Sequence, residues 1–303
     1  MKLAIHNKKS GFHPFWIEYC EAQKIPYKLV DCYQNDIIKQ LEDCDALMWH
    51  HAQTNIKDVL FAKQLLFSLQ QAGKVVFPDF NTAWHFDDKV GQKYLLEALN
   101  VPLVDTFVFY DKQSAMEWVS ETSFPKVFKL RGGAGASNVS LAKTRTQAKR
   151  LVRQAFENGF SQYPKISNLK ERIRKYRKGI GSLDDVGKGI IRLAYPPQFA
   201  KVIGNDVGYI YFQEFIPDND SDIRVIVIGD KAFAIKRMIR DDDFRASGSG
   251  HVLYEKELFS DEIIALSFQI NEKIKSQSLA IDYVFDEGGP KVVEISYGFI
   301  KEV

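Results

Sequence analysis

The sequence predicts an α/β unit at the N-terminus followed by an α+β region. Three observations carry this. Up to Phe77, short apolar runs alternate with helical periods, the pattern of a parallel sheet covered on both faces. After Gly208 strands dominate, with a single amphipathic helix at Ser260–Ser276, the pattern of an antiparallel sheet under one helix. A chain of 303 residues is also long enough for two or three packed units. We divide it into an N-terminal α/β unit at 1–104, a middle unit at 105–212 with a basic insertion at 160–206, and a C-terminal unit at 213–303.

The first unit reads as strands at Lys2–Ile5, Tyr27–Asp31, Ala46–Trp49 and Lys74–Phe77. Between them fall helices at Phe12–Gln23, with Pro14 in its first turn, at Asp36–Leu41 and at Asn55–Ala72, stopped by Gly73. Ligands bind such sheets at the carboxyl ends of their strands. Trp49, His50, His51 and Gln53 follow the third strand and lie on that edge. They read either as a surface loop or as a substrate contact. No GxGxxG is present, which argues against a dinucleotide site.

Asp87–Asn100 is a helix carrying Lys89 and Lys93 one turn apart. A strand at Val104–Tyr110 and a helix at Ser114–Ser120 follow. Phe124–Leu130 is a strand with Lys129 among apolar neighbours. A lysine in such a place needs an anion or must lose its charge. The glycine-rich stretch Arg131–Ser137 comes next, before a returning strand at Val139–Leu141. Its open N–H groups suit phosphate oxygens, though it is no P-loop, since no GKS or GKT follows. Thr146–Asn158 is a helix. In the insertion, the basic run Lys165–Lys178 is helical to about Arg177 and loop-like after it. A solvated insertion is favoured over a basic arm for an acidic partner.

Strands at Gly208–Ile216, Asp222–Ile228 and Ala232–Lys236 follow, the last two joined by a Gly229-Asp230 turn. Arg224 lies in the second of these, and Arg245 in a loop of small residues. The hairpin Leu279–Phe299 turns through Asp286 to Pro290. In it Asp282 and Glu294 interrupt apolar runs, with Ser296 two residues on. Buried carboxylates need a partner. The residues alone allow two readings: a hard cation such as Mg²⁺, held by oxygen ligands, or pairing with the chain's lysines and arginines.

Composition narrows the function classes. Hydrophobic residues at 45% and charged ones at 26% are ordinary for a globular protein, and a net charge of +2 demands no polyanion, so nucleic acid is disfavoured. No apolar run approaches a membrane span, and MKLAIHNKKSG lacks the apolar core of a secretory signal. Cys20, Cys32 and Cys44 show no CxxC pair and read as reduced thiols in a cytoplasmic protein.

From Asp87 to Phe299 these pieces, taken in order, resemble the ATP-grasp ligase family, which includes D-alanine–D-alanine ligase, glutathione synthetase and ligases that add glutamate to a ribosomal protein's tail. The family's DK at a helix start matches Asp88-Lys89, its strand lysine Lys129, and its glycine-rich lid Arg131–Ser137. Its hinge matches Gln213-Glu214-Phe215-Ile216, its DIR strand Asp222-Ile223-Arg224 and its DFR segment Asp243-Phe244-Arg245. Its metal ligands match Asp282, Glu294 and, in place of the usual Asn, Ser296.

The resemblance implies α+β ATP-grasp domains with nucleotide held between two sheets. It implies ATP contacts from Lys89, Lys129 and the lid residues Arg131, Gly132, Gly133, Ala134 and Ser137. Adenine would lie at Gln213, Glu214, Phe215 and Ile216, and ribose near Asp220. Arg224 and Arg245 would hold the transferred phosphoryl group and the carboxylate. Asp282, Glu294 and Ser296 would bind Mg²⁺, with Mn²⁺ as a substitute. The implied enzyme is an ATP-dependent ligase that activates a small-molecule or polymer-end carboxylate as an acyl phosphate and joins it to an amine or, less often, a thiol. A small-molecule kinase and a non-catalytic ATP-binding protein are the alternatives, and a homodimer is allowed. Relatives usually continue past the point where this chain stops at Val303, so the tail is either short or truncated. The insertion after Gly159 is also longer than the link expected there.

Overall fold

The computed structural model describes the chain except residues 133–137, 164, 178, 180, 196, 198–201, 203, 240–243, 247–249 and 300–303, and the side chains at 167 and 175. The N-terminal unit is a parallel sheet of β1 (Leu3–His6), β2 (Tyr27–Val30), β3 (Ala46–Met48) and β4 (Val75–Phe77), in the order β2-β1-β3-β4. Helix α1 (His13–Gln23) covers one face, its Cys20 packing with Leu3, Ile5 and Ala46 of the sheet. Helix α3 (Ile56–Gln71), which follows the short α2 (Ile37–Gln40), covers the other with Ala62, Leu66 and Leu69 against Leu47 and Val76. All three cysteines are buried and free, and burial pushes the Cys32 thiol up, away from reactivity.

The turn α4 (Phe80–Ala83) leads to α5 (Lys89–Ala98), whose N-cap Asp88 accepts the Gly91 N–H at 2.9 Å. Leu96 of α5 and Val101 belong to the core of the C-terminal sheet, so this helix packs away from the α/β unit that precedes it.

The middle sheet is antiparallel. It holds β5 (Thr106–Phe109), β6 (Lys126–Lys129), β7 (Val139–Ala142) and β10 (Ile210–Glu214), ordered β5-β10-β6-β7. Helices α6 (Lys112–Glu121) and α7 (Arg145–Phe156) cover one face through Ala115, Val119, Ala148 and Val152. The short pair β8 (Phe160–Ser161) and β9 (Asn205–Asp206) brackets the insertion.

Within the insertion, α8 (Lys165–Arg177) is followed by a second helix, α9 (Leu183–Ala194). The sequence reading of a loop after Arg177 is therefore corrected. Gly187 and Gly189 lower helix propensity, but Ser182 caps the helix on the Asp185 N–H. Gly189 also allows close packing, since a Cβ there would lie 2.9 Å from Leu169 and Arg172.

The C-terminal sheet is antiparallel, ordered β13-β12-β11-β14-β15. Its strands are β11 (Ser221–Ile228), β12 (Lys231–Met238), β13 (Val252–Leu253), β14 (Ser278–Asp286) and β15 (Gly289–Ser296). The period-two pattern sorts its faces. Val225, Val227, Leu279, Ile281 and Tyr283 meet Ile263 and Ile270 of helix α10 (Asp261–Ile274). Ala280, Asp282 and Val284 look into a cavity on the opposite face.

Gln277 ties the first and last units together. Its side chain accepts the Asp79 N–H at 3.0 Å and donates to the Val76 carbonyl at 2.9 Å, and its own N–H reaches Thr82 Oγ1 at 2.8 Å. The Tyr297 hydroxyl adds a bond to the His51 carbonyl at 2.9 Å.

Candidate active site

A cavity of about 1000 Å³ opens between the middle and C-terminal sheets, its far end closed by the loop after β3. That volume is at the upper end for a small-molecule site. Almost every residue singled out from the sequence that the structure describes comes to its wall.

Lys129, at the end of β6, is 4% exposed. Its ammonium donates to Gln213 Oε1 at 2.6 Å, and Gln213 Nε2 donates to Thr106 Oγ1 at 3.1 Å, which fixes the amide's orientation. Among the described residues no carboxylate pairs with Lys129. Burial lowers its pKa to about 8, although Glu294 pulls the other way. Lys89, the first residue of α5, is equally buried and pairs with Glu294 Oε1 at 3.2 Å. Arg131 lies on the surface and pairs with Asp88 at 2.5 Å. The Gly132 carbonyl accepts from Asn138 Nδ2 at 3.3 Å. Gly133, Ala134 and Ser137, expected at the lid, lie outside the described residues, as does Asp243.

The hinge residues Gln213 to Ile216 line the cavity beside Val104 and Val127. Phe215 packs edge-on against Phe244, centroids 5.9 Å apart. The Glu214 carboxylate pairs with Lys126, itself 1% exposed, at 2.5 Å. Asp220 lies on the same wall and accepts from the Ser221 hydroxyl at 2.7 Å.

The charges of the C-terminal sheet interlock. Arg224 is the cross-strand partner of Asp282, Asp222 that of Arg237, and Asp282 that of Glu294. Arg224 grips Asp282 in a fork, at 2.6 and 2.8 Å. Arg237 grips Asp222 at 2.7 Å through each nitrogen and reaches Asp282 Oδ2 at 3.0 Å. Burial alone would raise the Asp282 carboxyl, but Arg224 and Arg237 hold it well below the usual carboxylate range. Burial raises Asp222 in spite of Arg237. Of the two readings the residues allowed, the ion pairs are seen here: Asp282 is neutralised by two guanidinium groups and Glu294 pairs with Lys89.

For a hard cation, the oxygens of Asp282, Glu294 and Ser296 have the right chemistry. A cation at Asp282 would compete with Arg224 and Arg237 for its two oxygens. Ser296 Oγ donates to the Gly298 carbonyl at 2.9 Å. No group of three or more His, Cys, Asp or Glu placed to hold a metal occurs among the described residues.

Arg245 lines the cavity and approaches the Val139 carbonyl at 3.5 Å. Sequence reasoning missed Arg237 as part of the wall and gave Asp222 no role in it. The available signal was a charge within an apolar strand, the same one that identified Lys129. His50, His51 and Gln53 line the end nearest the N-terminal unit, whereas Trp49 is buried beneath them.

Residues 183–298 match the RimK-like ATP-grasp domain family. Over 272 residues the chain is 22% identical to the alpha-aminoadipate–LysW ligase LysX of Saccharolobus solfataricus, covering 88% of this chain and 82% of that protein. A RimK domain ATP-grasp protein from Sphaerobacter thermophilus superposes with a TM-score of 0.57 at 17% identity, covering 97% of this chain and 90% of that one. The ATP-grasp ligase PsnB, solved with a minimal precursor, Mg and ADP, gives 0.56 at 13% identity, covering 99% and 90%. Among the described residues, no helix is long and apolar enough to cross a membrane.

Proposed function

We propose that the chain, whose residues 183–298 match the RimK-like ATP-grasp domain family, is an ATP-dependent carboxylate–amine ligase working through an acyl phosphate in the cavity between its two antiparallel sheets. One observation carries the reading. Lys129 is a buried ammonium facing that cavity, and its partner is the neutral Gln213 rather than a carboxylate. Such a charge calls for an anion from outside the chain.

In this reading Lys129 and Lys89 hold ATP phosphates, with Arg131, Gly132, Gly133, Ala134 and Ser137 over them. The hinge from Gln213 to Ile216 takes adenine against Phe215, and Asp220 the ribose hydroxyls. A substrate carboxylate oxygen attacks the γ-phosphorus. The bond to the β–γ bridging oxygen breaks, and ADP leaves. Arg224, Arg237 and Arg245 neutralise the phosphoryl oxygens and orient the carboxylate, a task of positioning and charge rather than of covalent help. An amine then attacks the acyl carbon. The C–N bond forms, the C–O bond to phosphate breaks, and phosphate departs with its electron pair. Mg²⁺, or Mn²⁺ in its place, when held by Glu294, Asp282 and Ser296, would neutralise charge on the β- and γ-phosphates.

The relatives' names suggest the substrate class. One is named for alpha-aminoadipate and LysW, and another was solved with a precursor. A carboxylate borne by an amino acid, peptide or protein is the acid we favour, in a cytoplasmic setting suited to three unpaired thiols. The test is a screen of ADP and phosphate release over carboxylate and amine pairs. Release that needs both members of a pair, with an amide product, supports a ligase. A stable phosphorylated acid formed without amine would make it a kinase, and binding without any turnover would leave a nucleotide-binding protein.

A further inference from the structure

The end of the cavity nearest the N-terminal unit has a chemistry of its own. His50 stacks on Phe12, ring centroids 3.9 Å apart and planes 19° apart. Its Nδ1 accepts the Phe12 N–H at 3.0 Å. A ring nitrogen that accepts carries no proton, so His50 bears its single hydrogen on Nε2. Gly11 permits the approach, since a Cβ there would lie 2.5 Å from Nδ1. Nε2 sits beside Gly298, where an added Cβ would be 3.1 Å away.

His51 is 4% exposed and lines the same wall, yet its Nε2 has no hydrogen-bond partner among the described residues. The main chain around it is pinned. Buried Asp58 accepts the Ala52 N–H at 2.7 Å, the Lys8 ammonium at 3.2 Å and the Tyr33 hydroxyl. Tyr297 holds the His51 carbonyl from the other side. A rigid frame around an unmet buried polar atom implies that something else meets it.

The walls around the two histidines are largely aromatic, with Asp87 next to Phe86 as the nearby charged residue of the lining. Phe86 packs edge-on to His51, centroids 5.3 Å apart, and Phe299 lies 5.0 Å from Phe12. Burial holds His50 near 4 and His51 near 3, so both are neutral at neutral pH. A carboxylate or phosphate placed against them would lie buried and unpaired, while the arginines that suit it stand on the C-terminal sheet.

We propose that His50 and His51 form the subsite for the nucleophile, and that it takes an uncharged amine on an apolar or aromatic body, hydrogen-bonded by His51 Nε2, with His50 Nε2–H as the second contact. This rests on the ligase reading and deepens it. A group protonated only near pH 3 stores a proton poorly at neutral pH. His51 therefore binds and orients the amine, and the proton shed as the C–N bond forms goes to water.

The test uses wild type, His51→Phe and His51→Asn at saturating ATP, with the carboxylate and amine selected by the ADP-release screen, and with hydroxylamine as a small nucleophile that needs no subsite. His51→Phe keeps the ring but removes its nitrogens. The Asn amide reaches only as far as Nδ1 and serves if the Phe variant does not fold. Both variants should form acyl hydroxamate within about twofold of wild type while the amine KM rises about tenfold, the loss expected for one hydrogen bond. His51→Gln, which returns a polar atom near Nε2, should recover most of that rise. An unchanged amine KM beside normal hydroxamate formation overturns the subsite and leaves the ligase standing. A wild type that makes no acyl hydroxamate from any carboxylate overturns the ligase reading and this inference with it.

Discussion

Replacing Lys129 by methionine should move stability and nucleotide affinity in opposite directions. Burial pushes the ammonium from 10.5 down to about 8. At 1.36 kcal/mol per pH unit, holding it charged in the empty cavity costs about 3 kcal/mol. Methionine removes that cost and also the donor to Gln213, worth about 1 kcal/mol. Lys129→Met should therefore be the more stable protein by about 2 kcal/mol at pH 7, by denaturant unfolding. It should also bind ATP at least tenfold more weakly by calorimetry, because a charge-assisted bond to phosphate is lost. The pH dependence gives a second check. The folded-state pKa lies below the unfolded value, so the cost is fully present below about 8 and is relieved as pH rises towards 10.5. The stability gap between variant and wild type should close over that window. Wild-type ATP affinity should fall as pH rises above about 8, and the variant should lack that fall. A variant that is less stable and binds ATP as wild type does would refute the reasoning, because Lys129 would then be a structural lysine.

Three further outcomes are expected. Asp282→Asn strands Arg224, leaves Arg237 with Asp222 alone, and should destabilise by about 3 kcal/mol at neutral pH; the difference should shrink on acidification, because a carboxyl held below its usual range loses its stabilisation as pH falls through its folded pKa. Glu294→Gln should lower turnover at least a hundredfold while changing ATP affinity far less, and Ser296→Asn should keep or raise activity; a Gln variant with wild-type turnover removes Glu294 from the chemistry. Gly11→Ala places a methyl 2.5 Å from His50 Nδ1 at a φ of +72°, and unfolding should show a loss of about 1–2 kcal/mol.

The three sheets were legible because each leaves a local trace. Period-two runs mark β11, β14 and β15, and caps and glycines mark α3 and α5. Lys129 stood out because a charge inside an apolar strand has few explanations. The partner of Asp282 could not be read in the same way. It depends on register, which sets Arg224 opposite Asp282 although they lie 58 residues apart. Arg237 escaped notice because Lys236 precedes it near the end of β12, where exposed charges are common. Helix α9 was hidden by two glycines whose use is tertiary: Gly189 makes room for Leu169 and Arg172 on α8.

The bonds from Gln277 to Val76, Asp79 and Thr82 have a mechanical meaning. They rivet the N-terminal unit to the C-terminal sheet, so the histidine loop and the Arg–Asp lattice ride on one jaw. The middle sheet is the other jaw, touching the first through Asp88 and Arg131, the Arg131 carbonyl and Lys89 N–H, and Arg245 and Val139. On the proposed reading, the subsites for acid and amine both lie on the first jaw. Loosening Gln277 would slacken the spacing between them without touching a single wall of the cavity.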